Sequence, residues 1–90
     1  MATIRIPTPL RKLIGGSEEI NTTGRDIHEC LNLLCLSYPE VKDRILDENG
    51  EVRRFINVFV NDEDIRFIQG NNTPIQATDV ISIVPAIAGG

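Results

Sequence analysis

Few residues of this chain have the type and spacing that chemistry requires. Cys30 and Cys35 stand five positions apart in a stretch with helical periodicity, where they point in different directions, so no bridge between them is expected. There is no Cys-x-x-Cys pair and only one histidine, His28, which leaves too few soft ligands for zinc. A nucleophile needs a base within reach, and His28, at a helix start, reads as a solvated helix residue. The two thiols read as small hydrophobes of a reducing compartment, the cytoplasm. Asp62-Glu63-Asp64 has the carboxylates for Ca²⁺ or Mg²⁺ but lacks the glycine and distal bidentate Glu of an EF-hand loop. It reads as a solvated turn. The chain is therefore expected to hold no catalytic residues of its own, no metal and no cofactor.

The remaining candidate is Pro85-Ala86-Ile87-Ala88-Gly89-Gly90. It carries no charged side chain, whereas a disordered end is usually polar. Six extended residues reach about 20 Å. Gly89 and Gly90 lack a Cβ and suit a channel too narrow for any other residue. The group so delivered is the carboxylate of Gly90, ionised at neutral pH and inert to nucleophiles. It needs activation, for instance by adenylation, before sulfur or an amine can displace a leaving group. A frayed end is the competing reading.

The elements that must position this tail follow from pattern. Residues 2–6 alternate apolar and polar, as a half-buried strand does, and Pro7 and Pro9 end it. Residues 10–17, with Gly15-Gly16, read as a loop leading to a returning strand over 18–23, where Ile20 faces inward. Asp26 is a good N-cap, with Glu29 three positions on, and Ile27, Cys30, Leu31, Leu34 and Tyr38 share one helical face. Pro39 predicts an end near Ser37. Residues 41–46 have room for a helical turn, and Asn49-Gly50 for a tight reversal. Residues 53–60 form the strongest strand, with Ile56, Val58 and Val60 on one side and Phe55, Asn57 and Phe59 on the other. Asn61-Asp62 turns the chain, Ile65 and Phe67 suggest a short returning strand, and residues 80–84 are the last strand.

This order of strands around one main helix predicts an α+β roll of the β-grasp type. Its mixed sheet has four to five strands, and the first and last pair in parallel at its centre. The expected division is a domain over 1–84 and an extended tail over 85–90. Size and charge agree with one small domain: 90 residues, 9 Lys plus Arg against 13 Asp plus Glu, net charge −4. An acidic chain without Trp is a poor nucleic-acid binder. No apolar run is long enough to span a membrane, and the first residues, Met1-Ala2-Thr3-Ile4-Arg5, do not read as a secretory signal.

Three stretches carry a resemblance to a known family: Ile6-Pro7-Thr8-Pro9-Leu10-Arg11, Val60-Asn61-Asp62-Glu63-Asp64-Ile65-Arg66-Phe67, and the closing Pro85 to Gly90. Together they resemble the ubiquitin-like sulfur carriers of the MoaD/ThiS family, in particular the branch that serves cysteine biosynthesis. The resemblance implies that Gly90 is the covalent adenylate and thiocarboxylate site. Gly89, Ala88, Ile87, Ala86 and Pro85 would be the tail threaded into partner channels. The implied partners are a ubiquitin-activating-type adenylating enzyme with its sulfurtransferase, using MgATP, and a pyridoxal-phosphate-dependent cysteine synthase. A JAMM-type zinc metalloprotease completes the set. Alternatives of the same tail chemistry are the small subunit of molybdopterin synthase and a protein modifier joined to lysines through Gly90. A purely structural interaction domain is a further one.

A carrier must also be gripped. Alternation places Phe55 and Phe59 on the open face of the sheet, with Val80 and Val84 outward near the tail. An exposed apolar patch on a small protein marks a contact site. The expected docking surface is therefore Phe59, Val84 and Ile87, with Arg66 at its rim. The competing reading has the 10–17 loop covering the two phenyl rings.

Overall fold

In β1 (Ala2–Arg5), Ala2 and Ile4 point into the core and Arg5 points out. The computed structural model describes residues 1–85. β1 pairs antiparallel with β2 (Glu19–Thr22) and parallel with β5 (Val80–Pro85). β5 pairs antiparallel with β3 (Ile56–Val60), whose other edge carries the two-residue β4 (Glu63–Asp64). The order β2-β1-β5-β3-β4 puts the first and last strands side by side at the centre, as a β-grasp roll requires. Ile4 and Ile81 are register partners in that parallel pair and neither is accessible to water. Burying an Ile side chain contributes about 1.5–3 kcal/mol.

One face of the sheet is covered by α2 (Ile27–Ser37). Asp26 caps it, its Oδ1 accepting from the Glu29 amide at 2.8 Å. Glu29 reaches back one residue further than a capping box does, its Oε1 accepting from the Arg25 amide at 2.7 Å. Ile27, Cys30, Leu31 and Leu34 are buried as their spacing predicts, and Tyr38 is half-buried. The helix stops at Ser37, and Tyr38 leaves the helical region at φ −134°, ψ 79° ahead of Pro39.

The structure corrects the sequence reading at four places. Residues 10–17 are not a plain loop: α1 (Thr8–Arg11) and a 3₁₀ turn (Lys12–Ile14) bury Leu10 and Ile14. Pro9 lies in the first helical turn, where a missing N–H costs nothing, so the prolines that end the strand also start the helix. The 41–46 stretch is part of a full helix, α3 (Pro39–Ile45), with Pro39 again in the first turn and Val41 and Ile45 buried four apart. Ile65 and Phe67 lie in a 3₁₀ turn (Ile65–Phe67) rather than a strand, because the Asp64 carboxylate accepts from the Arg66 amide and closes a helical turn. The residues before Ile56 leave the strand, since the Ile56 amide donates to Arg53 O in a turn.

The reversal expected at Asn49-Gly50 forms, the Gly50 amide donating to Asp47 O at 3.0 Å and Leu46 bridging to Val52, though only Gly50 has positive φ; the two-residue hairpin lies at Asn61 and Asp62, with φ 49° and 75°. Two consecutive left-handed residues match the right-handed twist of β3 and β4. No helix among the described residues is long and apolar enough to cross a membrane.

Candidate functional site

The chain leaves the sheet at Pro85, which lies opposite Ile56 in the β3–β5 ladder. Ala86, Ile87, Ala88, Gly89 and Gly90, the expected tail and covalent site, lie outside the described residues. What the structure shows is the platform that presents them.

The open face of the sheet carries the other candidates. β3 and β5 alternate in phase: Val58 and Ile83 are partners and both buried, while Asn57 faces Val84 and Phe59 faces Ser82. Phe59 and Val84 are therefore diagonal neighbours on one face. Val84 is 42% exposed and Phe59 half-buried. Arg66 joins them from beyond β4: its Nη2 donates to Asn57 Oδ1 at 3.0 Å and to Asp64 Oδ2 at 2.7 Å, and its Nε donates to Asp64 Oδ1 at 3.1 Å. Phe59 and Val84 thus share one face with Arg66 fixed at its edge, while Ile87, the third residue of the expected surface, lies outside the described residues.

Asp64 corrects the reading of the acidic run as a solvated turn. Asp62 and Glu63 are exposed, but Asp64 is only 8% exposed and is the anchor of Arg66. The hydrogen bonds from Arg66 hold its carboxyl below the ordinary carboxylate value, and the same pairing raises the Arg66 guanidinium further. Asp64 and Asn57 were missed as positioning residues. The spacing of an acid two residues before an arginine, just after a hairpin, is the signal that could have found Asp64.

Phe55 does not join this patch. The turn before β3 directs it to a separate groove of about 310 Å³, beside Pro9, Leu10 and Pro85, where it stays 53% exposed. The 10–17 segment thus borders Phe55 without covering it.

The cysteines and His28 fall away from both features. Cys30 and Cys35 are free and buried, and desolvation raises both thiols above their ordinary value. His28 is exposed on α2, its Nε2 3.0 Å from Asn32 Nδ2. Among the described residues no three His, Cys, Asp or Glu side chains are grouped to hold a metal ion.

Comparison with known proteins agrees with this geometry. Residues 4–90 match the ThiS family. The chain is 38% identical over 90 residues to the sulfur carrier protein CysO of Mycobacterium tuberculosis, covering 98% of this chain and 97% of that one. A chain in the crystal structure of the Amycolatopsis orientalis BexX/CysO complex superposes with TM-score 0.91 at 37% identity, with all of both chains covered. The solution structure of small archaeal modifier protein 1 from Methanosarcina acetivorans follows at TM-score 0.85 and 28% identity, covering 99% and 95% of the two chains.

Proposed function

This chain belongs to the ThiS family, and from that premise we propose that it carries sulfur on the Gly90 carboxyl, as a thiocarboxylate used for cysteine biosynthesis. It is a sulfur carrier of the ubiquitin-like β-grasp fold and not itself an enzyme. The observation that carries the finer reading is the pairing of full-length likeness to CysO with a central β5 that is hydrogen-bonded on both edges. That strand delivers the chain to Pro85, from which Ala86, Ile87, Ala88, Gly89 and Gly90 continue.

In this reading a ubiquitin-activating-type enzyme joins the Gly90 carboxylate to the α-phosphorus of MgATP, and pyrophosphate leaves. Hydrosulfide, or a persulfide of the sulfurtransferase, would then attack the carboxyl carbon with loss of AMP; in the persulfide case a second thiol attacks the donor sulfur of the acyl disulfide, forming a disulfide with it and releasing the thiocarboxylate. The thiocarboxylate sulfur would then take the place of the leaving group on the β-carbon of an activated serine held by a pyridoxal-phosphate-dependent cysteine synthase. Acyl transfer from sulfur to the amine leaves cysteine amide-linked to Gly90, and a JAMM-type zinc metalloprotease hydrolyses that amide. MgATP, pyridoxal phosphate and zinc all belong to these partners. The reaction sequence belongs in the cytoplasm, where ATP and reduced thiols coexist.

This chain's part is to be recognised and to present the tail. Phe59 and Val84 supply the apolar contact, Arg66 the charged edge, and residues 86–89 the thread, since Pro85, expected in the tail, is held in β5. Carrier-dependent ATP–pyrophosphate exchange with the host's activating enzyme tests the reading. It should require Gly90, and a Gly90 deletion that folds but supports full exchange would overturn it.

A second reading is favoured by the likeness to small archaeal modifier protein 1: conjugation to lysines through the same activated Gly90. Slower-migrating covalent adducts in host extract that disappear with a Gly90 deletion would support it. Delivery of sulfur to a pterin precursor, as in molybdopterin synthase, shares the tail chemistry and is separated by assaying the acceptor.

A further inference from the structure

Charge is unevenly spread around the root of the tail. Pro85 is shared by two grooves. One, of about 290 Å³, is bordered by Arg5, Arg11, Ser82 and Val84, and the other, of about 310 Å³, by Leu10, Asp43, Arg44, Arg53 and Phe55. Four of the chain's seven arginines thus encircle the point where residues 86–90 begin, with a single carboxylate in the two linings. That is a local +3, which leaves −7 for the rest of a chain whose total is −4.

Two of the four are held in place by backbone. Arg11 Nε donates to Ile6 O at 3.0 Å and Arg53 Nε donates to Asp43 O at 2.8 Å. Both bonds point the guanidinium without neutralising it. Among the described residues the one ion pair in the ring is long, Arg11 to Glu18 at 3.9 Å with the Glu18 side chain 76% exposed, and Glu19 faces Arg5 across the β1–β2 ladder at no ion-pair distance. Within the ring lies the apolar floor made by Pro9, Leu10, Phe55 and Pro85.

We propose that this end of the domain is a docking collar for an acidic protein surface: Arg5, Arg11, Arg44 and Arg53 meet a carboxylate-rich rim, and an apolar side chain of that partner fills the groove beside Phe55. Charge complementarity selects the occupant. A positive ring on an otherwise negative molecule orients approach, so that the tail root arrives first. The partner is the enzyme that receives residues 86–90, so the proposal rests on the function given above and adds a charged recognition surface that adjoins Phe59 across Ser82 and Val84.

The test is binding of fluorescently labelled full-length protein to the host's activating enzyme, with ATP omitted, across a range of salt concentrations. The double variant Arg5→Glu, Arg44→Glu leaves both backbone-bound arginines intact and should bind roughly tenfold or more weakly than wild type at low salt. Its salt dependence should be flatter, and Arg5→Gln, Arg44→Gln should fall in between. Arg25→Glu, Gln76→Glu, Thr78→Glu makes the same charge change at exposed positions outside both linings and should bind within about twofold of wild type, since its charges lie off the contact.

Equal weakening by both charge reversals, unchanged binding of the collar variants, or no binding of the wild type each overturns the proposal. So does a response of the Leu10 and Phe55 amide resonances to Ile87→Ser or to self-concentration but not to the enzyme, which would give the groove to the chain's own tail or to a second copy. A selective affinity loss for an oligonucleotide or anionic vesicle, with enzyme binding intact, also overturns it. Adding ATP to the same mixtures reads charging of Gly90 separately, so failure of the carrier chemistry and failure of the collar are told apart.

Discussion

Pro85 is the register partner of Ile56, so the sheet grips the chain up to the last residue before the proposed tail. Ile56 is itself buried, so the exit point is tied by its ladder partner to the core. Proline suits this place, since it ends a ladder in which its missing N–H has no further partner to serve. From that anchor five residues reach at most roughly 17 Å. A partner must therefore seat closely against the domain to act on Gly90.

Phe59 stands half-buried on the open face of β3, opposite Ser82. A Phe59→Asp variant should fold, since its side chain is not part of the core cluster. It should lower the rate of activation at limiting carrier roughly tenfold or more, as loss of an aromatic contact at an interface does. Circular dichroism checks the fold and pyrophosphate exchange the rate. An unchanged rate would remove Phe59 from the docking surface.

Asp64 anchors Arg66 and closes the turn after β4. Asp64→Asn keeps a cap but loses the charge, and should cost about 1 kcal/mol at neutral pH, a modest figure because Arg66 is solvent-exposed. The carboxyl lies below its ordinary 3.8 in the folded protein. Its stabilisation is therefore present above that value and is lost as pH falls through the lower folded value. Urea denaturation at several pH values should show a gap between wild type and variant that is constant above about pH 5 and closes in acid. A gap that widens in acid would contradict the assignment.

Gly24 approaches α2 so closely that an added Cβ would lie 2.6 Å from both the amide nitrogen and Sγ of Cys30. Gly24→Ala should destabilise the fold by about 1–3 kcal/mol through overpacking, read as a fall in Tm of at least about 4 °C. Because two of the three close atoms are backbone, the amide nitrogen and Cα of Cys30, adding Cys30→Ala should not restore it. Full rescue by that second change would mean that only the sulfur is in the way.

Cys30 and Cys35 are buried and desolvated, and thiolate is the reactive form. Both should react with Ellman's reagent much more slowly in native protein than in guanidinium. Replacing both by alanine should leave sulfur loading of the carrier intact, though with some loss of stability. Loss of loading in a folded double variant would give the thiols a role that the carboxyl mechanism does not use.

The central part of the fold was legible because burial follows period. Ile56, Val58 and Val60 against Asn57 and Phe59, and Ile27 to Leu34 on one helical face, are patterns that core packing enforces. Less legible were segments where one residue plays two parts. Pro9 and Pro39 both end one element and begin the next, so reading them only as breakers hid two short helices. Ile65 and Phe67 alternate like a strand, but Phe67 is 80% exposed and the Asp64 cap decides the turn. At the site, Phe59, Val84 and Arg66 could be placed on one face from alternation and spacing. The ring of Arg5, Arg11, Arg44 and Arg53 could not, because it is assembled from four separate elements around Pro85.

The most direct test of the account is the intact mass of this protein purified from its native host without reducing or alkylating steps. The account predicts a population in which one oxygen of the Gly90 carboxyl is replaced by sulfur, or which carries one added cysteine, with fragmentation placing the change on Gly90. A protein found only with an unmodified or extended end, from cells in which its pathway is running, would contradict it.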